Sequence, residues 1–211
     1  MEGALCSADT RLIETFAWDG TGFRRLDAHL ARARASAQAL GFVWQARRIE
    51  QALAAIGGAA PLRVRLTIGR AGDAEATATP LPANPPQWRI AVAADRLDPD
   101  AALLRHKTTE RALYDRTRAA LPAGIDEALF LNRRGEAAEG TISNLFADPG
   151  DGVLRTPPLA CGCLPGILRA ELLASGRARE AVLRPPDLAR ARLYMGNALR
   201  GLIPARLVTL P

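Results

Sequence analysis

Residues Leu62 to Ile68 alternate in polarity, with Leu62, Val64, Leu66 and Ile68 in one set and Arg63 and Arg65 in the other. A two-residue period puts the apolar set on one face of a strand. A strand of this kind is half exposed, and its apolar face needs a second layer to cover it. The chain offers one upstream. From about Asp27 to Leu40, stopped by Gly41, the residues Leu26, Leu30, Ala33, Ala37 and Leu40 recur at four-three-four-three spacing. That spacing is the buried stripe of an amphipathic helix. Strand and stripe together predict a small α/β unit in the first half of the chain. His29, Arg32 and Ser36 fall on one edge of the stripe, where an arginine either reaches a buried anion or extends along the surface to water.

The remaining segments read as short elements. Leu12–Phe16 and Phe23–Leu26 flank the Asp19–Gly22 turn signal as a β-hairpin. A second helix runs from Ile49 to Ile56 and ends at Gly57-Gly58. Trp88–Ala93 is a strand, and the proline-bearing stretch before it (Pro80, Pro82, Pro85, Pro86) is a loop. The segment Arg96–Leu104 is the best boundary, giving a small domain over 1–97 and a larger one over 98–211. The larger one opens with Arg105-His106-Lys107-Thr108-Thr109 and a helix to Leu121, closed by Pro122. A strand follows at Glu127–Leu131, then an Asn132–Gly135 turn, and Glu139–Phe146 runs from a polar turn into a strand, with a short extended piece at Val153–Arg155. A helix opens at Leu164–Leu168 and runs to about Ala174, and another starts at Pro185. Leu193–Met195 and Leu207–Leu210 are terminal strands.

Composition matters at one residue. Of 28 lysines and arginines, only Lys107 is lysine. Arginine stays charged and cannot act as a neutral nucleophile, whereas a lysine amine can be shifted toward neutrality and form an imine. Composition alone leaves a solvated surface lysine equally open. The net charge of +6 raises nucleic-acid binding, but the arginines are spread from Arg11 to Arg206 without a patch or interleaved aromatics, so that class is set aside. Cys6, Cys161 and Cys163 are odd in number, and neither they nor His29 and His106 have metal-ligand spacing, so a reduced, cytoplasmic chain without a metal site is expected. No leader pattern and no membrane-length apolar run is present.

Several chemistries are missing. The chain has no Gly-x-Ser-x-Gly elbow, no Walker loop and no dinucleotide Gly-x-Gly-x-x-Gly. What remains is one lysine, a glutamate at a turn into a strand (Glu139), an edge arginine (Arg32) and a glycine-opened helix (Gly166-Ile167-Leu168). Pyridoxal phosphate needs an amine, an acid for its pyridine nitrogen and an anion site for its phosphate. A helix N-terminus and a guanidinium can supply the last. Spacing alone does not bring the four together.

In order along the chain, four blocks resemble the class IV aminotransferase family, the fold-type IV pyridoxal-phosphate enzymes. They are His29–Ala37, His106–Asp115, Glu139–Phe146 and Leu164–Arg169, with Gly196–Leu199 as a last loop. The resemblance spans Leu12 to Leu207. It implies an α/β (α+β) fold, with a small N-terminal α/β domain and a larger β-barrel-like domain carrying helices. It implies pyridoxal 5'-phosphate held by Lys107, a pyridinium partner in Glu139, and cofactor contacts from Arg32, Asn144, Gly166, Ile167, Leu168 and Asn197. It further implies a small-molecule amine substrate and a homodimer. The His-Lys-Thr-Thr form around Lys107, Asn197-Ala198-Leu199 and the short chain resemble the 4-amino-4-deoxychorismate lyases more than branched-chain or D-amino-acid aminotransferases. Three features depart from the family pattern. The strand before Leu12 is expected to be truncated, and Leu168 and Asn197 stand where threonine is common. Arg111 and Tyr114, within two turns of Lys107, are as well explained as structural helix residues and stay outside the catalytic set. A basic binding protein with an inactive site is the reading from another class.

Overall fold

A computed structural model describes residues 6–209. The chain forms two units. One contains the chain up to Ala83 together with His106–Glu110, and the other contains Asn84–Arg105 and the chain from Arg111 onward. The sequence-derived division after residue 97 falls inside the second of these.

The first unit is built from β1 (Arg11–Trp18), α1 (Leu26–Leu40), α2 (Ala46–Ala54), β2 (Leu62–Gly69) and β3 (Ala74–Pro80). The strands form an antiparallel sheet in the order β1-β2-β3, with Leu12 opposite Ile68 and Phe16 opposite Val64. Val64, Leu66 and Ile68 are buried, as the alternation requires, and they pack with Ala33 and Ala37 of α1 and Ile49 and Leu53 of α2. Burying a side chain such as Phe16 or Ile68 contributes about 1.5–3 kcal/mol each. Helix α1 stops at Gly41, whose φ of 70° is costly for any other residue and whose N–H donates to Ala37 O.

Three local expectations change here. The hairpin reduces to a single Trp18–Phe23 bridge, because β1 gives its pairing edge to β2 and the residues from Leu26 enter α1. Phe23 makes T-shaped ring contacts with Phe16 and Trp18. The loop assigned before Trp88 contains β3, a largely exposed edge strand of alternating small residues. The segment around Lys107 is extended, and the helix that runs toward Leu121 begins only at Ala112. Lys107 O accepts from Ile13 N, Thr109 N donates to Arg11 O, and Thr108 bridges Leu12. Two β-branched threonines pairing with an available strand outweigh local helix preference.

The second unit comprises β4 (Trp88–Leu97), α3 (Ala112–Ala119), β5 (Glu127–Asn132), β6 (Ala137–Gly140), β7 (Asn144–Asp148), β8 (Leu154–Thr156), α4 (Ile167–Ala174), β9 (Ala178–Glu180), α5 (Pro185–Arg190), β10 (Arg192–Asn197) and β11 (Gly201–Leu207). The last strand therefore lies before the expected Leu207–Leu210, and Leu210 is outside the described residues. Strands β10-β11-β4-β5-β6-β7 run in that order, and β7 pairs back to β10, closing a six-stranded barrel that β8 and β9 extend. Closure removes the edges an open sheet would expose. Both faces of β5 are covered. Leu129 and Leu131 enter one apolar cluster with Ile90, Leu145, Met195 and Ile203, while Ala128 and Phe130 face a second that includes Leu113 and Tyr114 of α3. This is the α/β region plus barrel-like region that the resemblance implied.

Candidate active site

In the first unit, the half-buried Lys107 is fixed through its backbone to β1, as above. Its neighbour His106 meets Ser36 of α1, with Nδ1 3.0 Å from Oγ. Arg32 does reach a buried anion, and that anion is Glu14 of β1. Arg32 Nε and Nη2 donate to the two Glu14 oxygens at 2.9 and 2.5 Å, and His29 Nδ1 lies 2.6 Å from Oε2. Burial pushes the Glu14 carboxyl up, but the Arg32 charge and the hydrogen bonds from His29 and Arg32 outweigh it and hold it below the usual glutamate range. Glu14 was not singled out from sequence. As a polar residue in an apolar run, it read simply as part of a strand.

In the second unit, Glu139, Asn144, Gly166 and Leu168 come together. Register aligns Glu139 of β6, Asn144 of β7 and Gly196 of β10 in one row across three strands. Cross-strand partners in a row share a face. The backbone of Leu164 ties this row to the start of α4. Leu164 N donates to Glu139 Oε2 at 2.9 Å, and Leu164 O accepts from Asn144 Nδ2 at 3.0 Å and from Gly166 N at 2.8 Å. A Cβ at Gly166 would collide with the Asn144 side-chain oxygen, so glycine is required there for steric reasons. Gly196 is similarly tight against Leu168, whose Cδ2 lies 3.0 Å from where a Cβ would sit.

The N-terminus of α4 has the features of an anion site. Gly166 precedes the first helical turn, no side chain caps it, and Ile167 and Leu168 are buried. The first N–H groups of a helix have no partner within it, and leaving them buried without one is costly. Asn197 has a different place from the expected donor. Its Nδ2 donates to Ile142 O, and its Oδ1 accepts from Leu199 N and Arg200 N, so the amide organises the last loop.

Two residues outside the expected set shape this region. Tyr114, on α3, donates its hydroxyl to Glu139 Oε1 at 2.7 Å. Glu127, on β5 and fully buried, accepts from Thr141 N and Oγ1, Ile142 N and Ser143 Oγ, and so holds the bend between β6 and β7. The sequence carried a signal for Glu127 only in hindsight, as a charged residue opening an otherwise apolar strand. Cys163, just before Leu164, is a buried thiol pushed up to about 12, first by burial and then by the Glu139 charge, so it is not a nucleophile at neutral pH. Among the described residues, no helix is long and apolar enough to cross a membrane.

Chemically, the second unit offers a buried carboxylate with both oxygens engaged by defined donors, beside an uncapped, buried helix start. These fit a protonated ring nitrogen and a phosphate, the two ends of pyridoxal phosphate.

Comparison with known proteins points to one family. The family model for amino-transferase class IV matches residues 11–208. A Schizosaccharomyces pombe protein described as a candidate aminodeoxychorismate lyase is 32% identical over 180 residues, 82% of this chain and 77% of that protein. The Escherichia coli branched-chain-amino-acid aminotransferase is 35% identical over 74 residues, 35% of this chain and 24% of that enzyme. A crystal structure from Mesorhizobium loti, described as a candidate amino-acid aminotransferase, superposes with a TM-score of 0.89 at 49% identity, covering 95% of this chain and all of that one.

Proposed function

The chain belongs to the class IV aminotransferase family, and from that premise we propose that it is a pyridoxal-phosphate enzyme cleaving 4-amino-4-deoxychorismate to 4-aminobenzoate and pyruvate. The observation that carries the cofactor reading is Glu139, a buried carboxylate fixed by Tyr114 and Leu164 next to the uncapped start of α4. When bound, the cofactor supplies an electron sink for the substrate carbon next to the amine. In this reading, Lys107 Nζ would hold the cofactor and would take up and return a proton during the reaction. The Glu139 carboxylate keeps a proton on the pyridine nitrogen. The N–H groups of Ile167 and Leu168, with Arg32, bind the phosphate. Asn144 and Gly166 shape the turn that presents those N–H groups, and Asn197 braces the last loop. The reaction would run on a soluble amine in the cytoplasm, with the protein as a homodimer.

A second reading has its own support. The Mesorhizobium loti relative, matched over its full length, is described as an amino-acid aminotransferase candidate, which favours transamination of an amino acid on the same residues. Purified protein separates the two. Pyruvate released from aminodeoxychorismate, followed by a coupled dehydrogenase, supports the lyase. Conversion of an amino donor in a half-reaction, with no pyruvate from aminodeoxychorismate, supports the transaminase. Added pyridoxal 5'-phosphate should give a visible absorbance band that borohydride fixes onto Lys107. A Lys107→Ala protein that still shows the fixed band removes Lys107 from its role.

A further inference from the structure

We propose that Tyr114 is a positioning residue for Glu139, setting the orientation of the carboxylate that meets the cofactor's ring nitrogen; this rests on the cofactor reading above. Glu139 has two oxygens and receives a donor on each, the Tyr114 hydroxyl on Oε1 at 2.7 Å and Leu164 N on Oε2 at 2.9 Å. One donor alone would leave the carboxylate free to rotate about its last side-chain bond. Donors on opposite oxygens, coming from two separate elements, fix that rotation and the direction of the remaining lone pairs.

The tyrosine is itself held. Its ring packs edge-on against the buried Phe130 of β5, with centroids 5.2 Å apart, and the Arg111 guanidinium lies over it at 5.4 Å. Arg111 in turn donates to Asp115 and to Thr141 O, each at 2.8 Å. The hydroxyl therefore arrives at Glu139 on a ring with little freedom. Burial, then the neighbouring Glu139 charge, hold the Tyr114 hydroxyl well above the ordinary phenol range, so it remains a proton donor wherever the protein is folded. A half-buried tyrosine could satisfy its hydroxyl with any carbonyl or with water. Here it is spent on the carboxylate that the cofactor needs. A hydrogen bond to a charged group is stronger than one between neutral groups, so its loss should be felt in cofactor binding.

The test is a double-mutant cycle read as affinity for added pyridoxal 5'-phosphate, independent of turnover. Tyr114→Phe keeps the ring on Phe130 and removes only the hydroxyl. It should weaken binding about tenfold in the wild-type background, as expected for a hydrogen bond to an ionised group. In a Glu139→Ala background, the same change should alter affinity by less than about twofold, because the partner is gone. A purely structural tyrosine would carry the same loss into both backgrounds, and that result overturns the proposal. So does an unchanged affinity of Tyr114→Phe in the wild-type background. If the wild-type protein itself fails to bind pyridoxal 5'-phosphate, the cofactor reading falls first and takes this proposal with it.

Discussion

Glu14 in the first unit and Glu127 in the second are both buried carboxylates, at 2% and 0% exposure, yet they are held in different ways. Glu14 is met by a guanidinium and an imidazole, Arg32 and His29. Glu127 is met chiefly by backbone amides and hydroxyls of the Thr141–Ser143 bend, with Arg118 Nη1 3.5 Å away as a more exposed cation. The first arrangement fixes a side chain: it sets where the Arg32 guanidinium lies. The second fixes main chain: it sets the path between Glu139 and Asn144. Through Ile142 O, which accepts from Asn197, the same bend is tied to the last loop. A cation partner compensates charge directly, whereas several neutral donors compensate it while also shaping backbone. The two should therefore fail differently.

The largest effect is expected at Glu14. Glu14→Gln leaves the buried His29 and the partly buried Arg32 without their anion, and breaking a buried pair from one side costs about 3–5 kcal/mol. Chemical denaturation at neutral pH should show a lowered midpoint of that order. The loss should also depend on pH. The Glu14 carboxyl is held below its ordinary value, so its contribution is complete above about pH 4.3, the usual glutamate pKa, and fades as pH falls through the lowered folded value. Wild type and variant should converge in stability in that acidic window. A gap that stays constant down to strongly acidic pH would show that the Glu14 charge is not what holds Arg32.

A smaller stability loss with a larger functional echo is expected at Glu127. In Glu127→Gln, one carboxylate oxygen becomes an NH2 group facing donors, at either the Thr141 side or the Ile142–Ser143 side. One unsatisfied buried position costs about 1–3 kcal/mol. The bend relaxes, and with it the anchoring of the last loop, so affinity for pyridoxal 5'-phosphate should fall about tenfold for roughly one hydrogen bond's worth of lost positioning. Equilibrium unfolding and cofactor titration on the same preparation check the two together. Unchanged cofactor affinity beside a clear stability loss would mean the bend is a scaffold feature only.

Legibility in the sequence follows the same division between side chain and main chain. The α1 stripe and the β2 alternation were readable because apolar side chains repeat with a period, and the strand at Glu127–Leu131 because it is a short, nearly continuous apolar run. β3 was not, because an exposed Ala/Thr edge strand has no apolar face to advertise it. The extended state of the Lys107 segment was not readable, because it comes from pairing with β1, a long-range contact that local preference cannot register. The candidate site residues stood out as blocks in order, but the Leu164 hub did not, since its three hydrogen bonds are made by backbone and leave no side-chain signature. Tyr114 and Glu127 were passed over for a related reason. Each acts on another residue of the site, and one polar side chain on a helix or strand looks the same whether it meets water or a buried carboxylate.

Gly140 sharpens the comparison at the smallest scale. It follows Glu139 directly, and a Cβ there would meet Ser143 Oγ at 2.7 Å, Met195 Cε at 2.8 Å and Glu127 Cδ at 2.9 Å. The methionine and serine ends can swing aside. The Glu127 carboxyl cannot, because the bend holds it from several directions. Gly140→Ala should therefore cost about 1–2 kcal/mol, the lower range for overpacking, with the strain falling on the Glu127 bend. In a Glu127→Gln background, where the bend is already loosened, the same methyl should cost clearly less, and the non-additivity can be read from unfolding curves of the four proteins. Equal costs in both backgrounds would place the strain on Met195 instead of the Glu127 bend.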